Sequence, residues 1–375
     1  MRLLLLTLAA CLVFTAGAHA AKLPPGYVGM QVDGPLIDGG TDLDKQIVRM
    51  RKTGVRSVRF SIYWSDEQPY ATMADVPAAK RARFVDVGGV PTDFSDTDKL
   101  VGAAAAQRLR ILPVVLRAPV WARADPDKEY SPPSASGRAA YAAFLKALIE
   151  RYGPGGTFLK ANDYLPSGVI HDWQVWNEPN GPFFWNVDTD GSQQYVDLLK
   201  AAYPAVKAAD PKAQVIAAGL FGKSWAYLRK LYKQGAKGFF DAVAIHPFTH
   251  KPAFVIRIAQ YVRRVMRRHG DAKLPLIISE LSWPSSQGKS TKIKLDFDTT
   301  EAGQAVRLRR AMRKLAGRRR ELRLRAVFWS TWMTHDSSRT YPFDYSGLLT
   351  LKPDGSIVPK PAFAAFRKIV KIISR

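Results

Sequence analysis

The segment Trp173-Gln174-Val175-Trp176-Asn177-Glu178-Pro179-Asn180 reads as a strand that ends in an amide, a carboxylic acid and a proline-led loop. Further along, Leu274-Pro275-Leu276-Ile277-Ile278-Ser279-Glu280 repeats the theme, an apolar strand delivering one carboxylate at its C-terminal end. Two acids on two strand ends, each beside tryptophans, are the groups that hydrolysis of a glycosidic bond requires.

The elements that must position these acids alternate along the chain. Short apolar or β-branched runs predict strands at Tyr27–Val32, Val55–Tyr63, Arg110–Leu116, Ile170–Trp176, Gln214–Ala218, Ala242–His246, Leu276–Glu280 and Leu324–Trp332. Between and after them, helical periodicity predicts helices at Asp42–Thr53, Asp98–Gln107, Ala139–Arg151, Gln193–Ala209, Trp225–Gln234, Phe254–His269, Thr300–Leu315 and Ala362–Ile373. Eight strand–helix units predict a single α/β domain, a (β/α)8 barrel over residues 21–375. A doubly wound open sheet is the other arrangement of such units. It lacks support because Gly29 and Gly34 do not make a dinucleotide fingerprint.

In a barrel, the C-terminal strand ends form one rim, where the chemistry lies. That rim would hold Arg59 and Trp64, Arg117 and Trp121, Asn177 and Glu178, His246, Glu280 and Trp283, and Trp329 and Trp332. Indole rings can stack on the apolar face of a pyranose, so Trp64, Trp121, Trp185, Trp283, Trp329 and Trp332 are substrate-binding candidates, with simple packing as the competing role. Arg59 has a structural alternative, and His246 fits a satisfied core histidine nearly as well as a sugar contact. Asp125, Asp127, Glu129 and Tyr130 follow the third strand and could reach the cleft or simply face solvent. His246 with His250, and His335 with Asp336, match no zinc spacing, so neither a metal nor another cofactor is expected.

Taken together, these residues resemble the retaining glycoside hydrolases of clan A, and within them family 39 and family 5-like extracellular enzymes. The resemblance runs from about residue 27 to 370 and rests on Asn177-Glu178, Ile278-Ser279-Glu280, Val58-Arg59-Phe60, Ala244-Ile245-His246-Pro247, Trp329 or Trp332, and the closing segments Ser346-Gly347-Leu348-Leu349 and Pro359-Lys360-Pro361-Ala362. It implies Glu178 as general acid/base, Glu280 as nucleophile, and Asn177, Arg59 and His246 as substrate-binding or supporting groups. The chain leaves little room for the extra β-rich domain of many family 39 enzymes, which points toward single-barrel enzymes that cut exopolysaccharides. The expected activity is a retaining endo-β-glycosidase acting on an extracellular or cell-wall polysaccharide. An exo-β-glycosidase of β-xylosidase or β-glucosidase type is the alternative, and a non-catalytic carbohydrate-binding protein a further one.

The remaining composition bounds where such a protein would work. Met1-Arg2, the apolar run from Leu3 to Thr15 and Ala18-His19-Ala20 predict a signal peptide over residues 1–20 and a secreted, periplasmic or cell-surface product. Leu8-Ala9-Ala10-Cys11 also resembles a lipoprotein box, but the apolar run continues past Cys11. Cys11 is the chain's one cysteine, so the processed protein would need no disulfide. No later stretch is long enough to be a transmembrane helix. The formal net charge of +24 suits an anionic polymer or surface, or merely solvates the helices. Nucleic acid is not expected as a partner, since no recognition motif accompanies the charge. The expected partner is a polysaccharide or oligosaccharide, and the oligomeric state is not legible.

Overall fold

The computed structural model describes residues 23–165 and 170–375, so the expected signal peptide lies outside the described residues. The barrel strands are β1 Val28–Gln31, β2 Ser57–Tyr63, β3 Arg110–Leu116, β4 Asp172–Asn177, β5 Gln214–Phe221, β6 Ala242–His246, β7 Leu276–Leu281 and β8 Leu324–Trp329. After each comes a long helix: α1 Leu43–Lys52, α2 Ser95–Ala106, α3 Ala135–Tyr152, α4 Ser192–Ala209, α5 Ser224–Lys233, α6 Pro252–Arg268, α7 Glu301–Leu322 and α8 Pro361–Ile373. The strands close in the order β1-β8-β7-β6-β5-β4-β3-β2, every pairing parallel. This is the (β/α)8 barrel that the alternation predicts.

The strands read as continuous apolar runs because the barrel buries both of their faces. Every residue of β6 is buried. Inside the barrel, Leu112, Ile216, Ala244, Ile277, Ala326 and Phe328 form a small inner core. Phe328 reaches across a gap left by Gly29, where a Cβ would stand 2.3 Å from its ring. The larger core lies between sheet and helices. Helix starts follow local chemistry: the side chains of Asp42, Ser134 and Thr300 accept the N–H groups of Lys45, Gly137 and Gly303 at the heads of α1, α3 and α7.

The element boundaries differ from expectation in instructive places. The last turns of α7 extend to Leu322 instead of Leu315, because only Ala316 and Leu322 face inward there and the charged remainder hides the periodicity. β5 continues past Ala218 to Phe221, and β8 stops at Trp329, so Trp332 lies beyond the strand. Two small sheets were not foreseen: a hairpin of Val85–Val87 with Val90–Thr92 after β2, and a three-stranded sheet of Met333–Thr334, Leu349–Leu351 and Ile357–Pro359 after β8. No described helix is long and apolar enough to cross a membrane.

Candidate active site

The end of β4 is bent by two residues in left-handed backbone, Trp176 at φ 67° and Glu178 at φ 43°. Neither is glycine, so each costs on the order of 1–3 kcal/mol that surrounding contacts must offset. Those contacts are visible. The Glu178 N–H donates to Gly219 O at 3.2 Å, and the Trp176 indole N–H donates to Phe184 O at 2.6 Å. From α4, the Tyr195 hydroxyl donates to Val175 O at 2.9 Å and accepts the Ala218 N–H at 2.6 Å. Consecutive residues Asn177 and Glu178 are thereby both joined to the polar network at the rim.

Arg59, on β2 and 1% exposed, is the centre of that network. Its guanidinium donates to Gln31 Oε1 at 2.6 Å, to Glu280 Oε1 at 2.8 Å and to Asn177 Oδ1 at 2.7 Å. One side chain thus ties the ends of β1, β4 and β7 together. His246, fully buried on β6, links the two acids from the other side. Its Nδ1 is 2.5 Å from Glu178 Oε1, and its Nε2 is 2.9 Å from Ser279 Oγ and 3.6 Å from Glu280 Oε1. The imidazole fits only because residue 219 is glycine: a Cβ there would lie 2.0 Å from Nε2. One oxygen from each glutamate and a His246 nitrogen all fall within 4.8 Å of one another. An approach this close between one oxygen of each acid suits the near pair of carboxyl groups, ~5–5.5 Å apart, that retaining glycosidases use.

Burial prepares Glu178 and His246 for different protonation states. It pushes the Glu178 carboxyl up to about 8, with Arg59 opposing. It pushes His246 down to about 4, against the pull of Glu280. At neutral pH the ring is therefore uncharged and Glu178 holds its proton. A consistent arrangement has Glu178 donating to Nδ1 while Nε2–H donates to Ser279 Oγ. Asp33, just past β1, is a third carboxyl in the network. Burial raises it to about 7 against the hydrogen bond from the Thr331 hydroxyl. Tyr341, on the segment after β8, also belongs here. Its side chain is 49% exposed, but partial desolvation of the hydroxyl, then the charges of Glu178 and Glu280, hold the phenol above its usual range.

Glu178, His246 and Glu280 have the donor types of a metal site. The surroundings do not suit a divalent cation, since the Arg59 guanidinium already lies 2.8 Å from Glu280 and both ring nitrogens of His246 meet protein groups.

The structure thus brings Arg59, Asn177, Glu178, His246 and Glu280 together, and treats the tryptophans differently. Trp64, Trp283, Trp329 and Trp332 are 0–1% exposed. Each indole N–H is bonded within the protein, to Gln68, Thr249, Ser346 and Gln46 in turn. In this structure these four rings are packed inside the protein, the role that competes with sugar binding. Trp185, 3% exposed, packs edge-on against Trp176 and Tyr195. Trp121 is half-buried, edge-on to Trp64 and bonded to Gln68 O. The aromatic ring that does meet the site's His246 is Phe248, edge-on with ring centroids 6.0 Å apart. Arg117, at the end of β3, lies over the rings of Tyr63 and Tyr130 and pairs with Glu129 at 2.6 Å. Sequence reasoning overlooked Gln31, Asp33, Ser279 and Tyr341. Asp33 was within reach, because it is a carboxyl at a strand end just as Glu280 is. Tyr341 gives no such signal, since its place depends on how a long segment folds back.

No protein-family model matches the chain, and no curated protein matches it. Solved structures do. A family 39 glycoside hydrolase from the gut symbiont Bacteroides cellulosilyticus WH2 is 20% identical with a TM-score of 0.66, over 94% of this chain and 64% of that one. A monomeric β-xylosidase from Caulobacter crescentus CB15 is 20% identical with a TM-score of 0.63, over 92% of this chain and 68% of that one. The family 53 catalytic domain from Ignisphaera aggregans is 16% identical with a TM-score of 0.61, over 92% of this chain and 96% of that one. The chain therefore spans less than two thirds of the family 39 structure's length, and nearly all of the family 53 domain's. Comparable likeness to two families does not single out family 39. At these identities the likeness shows the architecture alone: this chain shares the (β/α)8 barrel of these glycoside hydrolase structures.

Proposed function

We propose that this protein hydrolyses β-glycosidic bonds with net retention, using Glu178 as general acid/base and Glu280 as nucleophile. The observation that carries the proposal is the close pair of carboxyl groups in unlike settings. Glu178 is buried against a neutral His246 and keeps its proton to about pH 8, while Glu280 is ion-paired to Arg59. In the first step Glu178 protonates the glycosidic oxygen as Glu280 attacks the anomeric carbon, forming a glycosyl ester and releasing the leaving sugar. In the second, Glu178 takes a proton from water, the water oxygen attacks the same carbon, and the Glu280 carboxylate is released. In this reading Asn177 bonds a sugar hydroxyl near the reacting carbon. Two carboxyl groups suffice, so the reaction needs no cofactor.

An exo-acting enzyme of β-xylosidase or β-glucosidase type has better support than an endo-acting one. One similar structure is a β-xylosidase. Trp64, Trp185, Trp283, Trp329 and Trp332, which an extended polysaccharide groove would use, are buried. The reading of residues 1–20 as a signal peptide supports action outside the cytoplasm. The test is hydrolysis of aryl β-xylosides, aryl β-glucosides and matching oligosaccharides, followed by proton NMR of the first-formed anomer and sizing of the products. Single sugars of retained configuration, absent with Glu280→Gln, are expected. Inverted product, or activity surviving in the Glu280→Gln variant, would refute the assignment.

A further inference from the structure

The outer side of the barrel that carries α1, α7 and α8 differs in character from the rim. A groove of about 480 Å³ runs between the end of α1 and α8, lined by Lys52, Arg56, Arg367, Lys368 and Lys371 among small neutral residues. A second groove, of about 370 Å³, lies between α7 and α8 and is lined by Arg309, Arg310, Arg313, Lys314, the shared Lys368 and Ile372. No acidic residue lines either groove, and none of these nine basic side chains forms an ion pair among the described residues. Elsewhere on the surface, exposed cations do find acids, as Lys45 does with Asp42 and Lys230 with Asp190.

We infer that this face docks the protein on an anionic phospholipid surface. Nine uncompensated cations across three elements attract anions of any kind, so three further observations decide among them. First, neither groove contains an aromatic ring or a carboxylate, the groups that would hold a polysaccharide by stacking and by hydroxyl contacts. Second, Ile372 is 43% exposed in the middle of the cations, an apolar side chain positioned to enter a headgroup layer. Third, the patch lies away from the rim. Arg56 directly precedes β2, at the N-terminal strand end, whereas Glu178 and Glu280 stand at the C-terminal ends of β4 and β7. A surface held against this side leaves the rim uncovered and open to substrate. A substrate polymer captured here would instead be held at the wrong end of the barrel.

The experiment is co-sedimentation of the full chain with phosphatidylcholine vesicles, with and without 30 mol% phosphatidylglycerol, in low and high salt. The comparison protein carries Arg313→Glu, Lys368→Glu and Lys371→Glu, three exposed positions outside the catalytic network. A basic residue near an anionic membrane is worth roughly five-fold in partitioning. Loss of three should therefore weaken binding about 100-fold or more, with the thermal midpoint unchanged. Binding should require the anionic lipid and fade in high salt. Equal binding to neutral vesicles, or full binding by the triple variant, would overturn the proposal. So would tighter binding to soluble polygalacturonate than to the anionic vesicles, which would identify the partner as an acidic polysaccharide.

Discussion

Replacing Glu178 by Gln should remove a specific dependence of stability on pH. In the folded chain Glu178 keeps its proton up to about 8, against 4.5 for the free carboxyl. The folded state then binds more protons than the unfolded one over that range, so stability falls as pH rises through it. His246 acts in the opposite sense at lower pH. Its folded value of about 4 lies below the free value of 6.5, so the folded state binds fewer protons and stability rises with pH in that window. The two effects oppose each other up to pH 6.5, and above it only that of Glu178 remains. Each pH unit from 6.5 to 8 costs about 1.4 kcal/mol, and the interval about 2 kcal/mol. Gln keeps the size and polarity of the side chain but cannot ionise. Urea unfolding at pH 6.5 and 9 should show the wild-type protein losing about 2 kcal/mol more than Glu178→Gln. Asp33 and Glu67 are also raised by burial, to about 7 and about 8, but both are present in both proteins and drop out of the difference. The same ionisation should set the alkaline limb of kcat/KM near pH 8 in the wild type. Parallel stability profiles for the two proteins would refute the assignment of the proton to Glu178.

Three further outcomes follow from the geometry. Gly219→Ala places a methyl 2.0 Å from His246 Nε2, so the ring must retreat by about 1.5 Å to reach ordinary contact. We expect kcat to fall about 100-fold and stability by about 1–3 kcal/mol, read by steady-state kinetics and chemical unfolding; unchanged kinetics would mean that the ring position does not matter. Arg59→Met removes three hydrogen bonds and leaves Glu280 without its ion-pair partner, which should destabilise the fold by about 3 kcal/mol in urea. Trp283→Phe should lower stability by about 1–3 kcal/mol through loss of the bond to Thr249 O and of buried volume, with KM within about two-fold of wild type. A ten-fold rise in KM with no loss of stability would restore Trp283 as a sugar platform.

The barrel and its two central acids were legible from the chain alone, for a local reason. A strand buried on both faces must be an apolar run, and Ile277-Ile278-Ser279-Glu280 and Val175-Trp176-Asn177-Glu178 each end such a run with a carboxyl that the interior cannot accept unpaired. The polarity change therefore marks both the strand and its chemically active end. Arg59 and His246 were visible in the same way, as charged or titratable groups embedded in apolar strands. What their side chains bond to was not visible, because Gln31, Asn177 and Glu280 meet Arg59 only when the sheet closes. The tryptophans show the converse. An indole near a strand end has the same local sequence whether its face lines a cleft or packs under a loop. Only the chain segments folded over it, such as those supplying Thr249 O to Trp283 and Ser346 O to Trp329, decide that these rings are buried. The raised Glu178 and lowered His246 likewise depend on tertiary structure, since desolvation comes from neighbours brought from other parts of the chain.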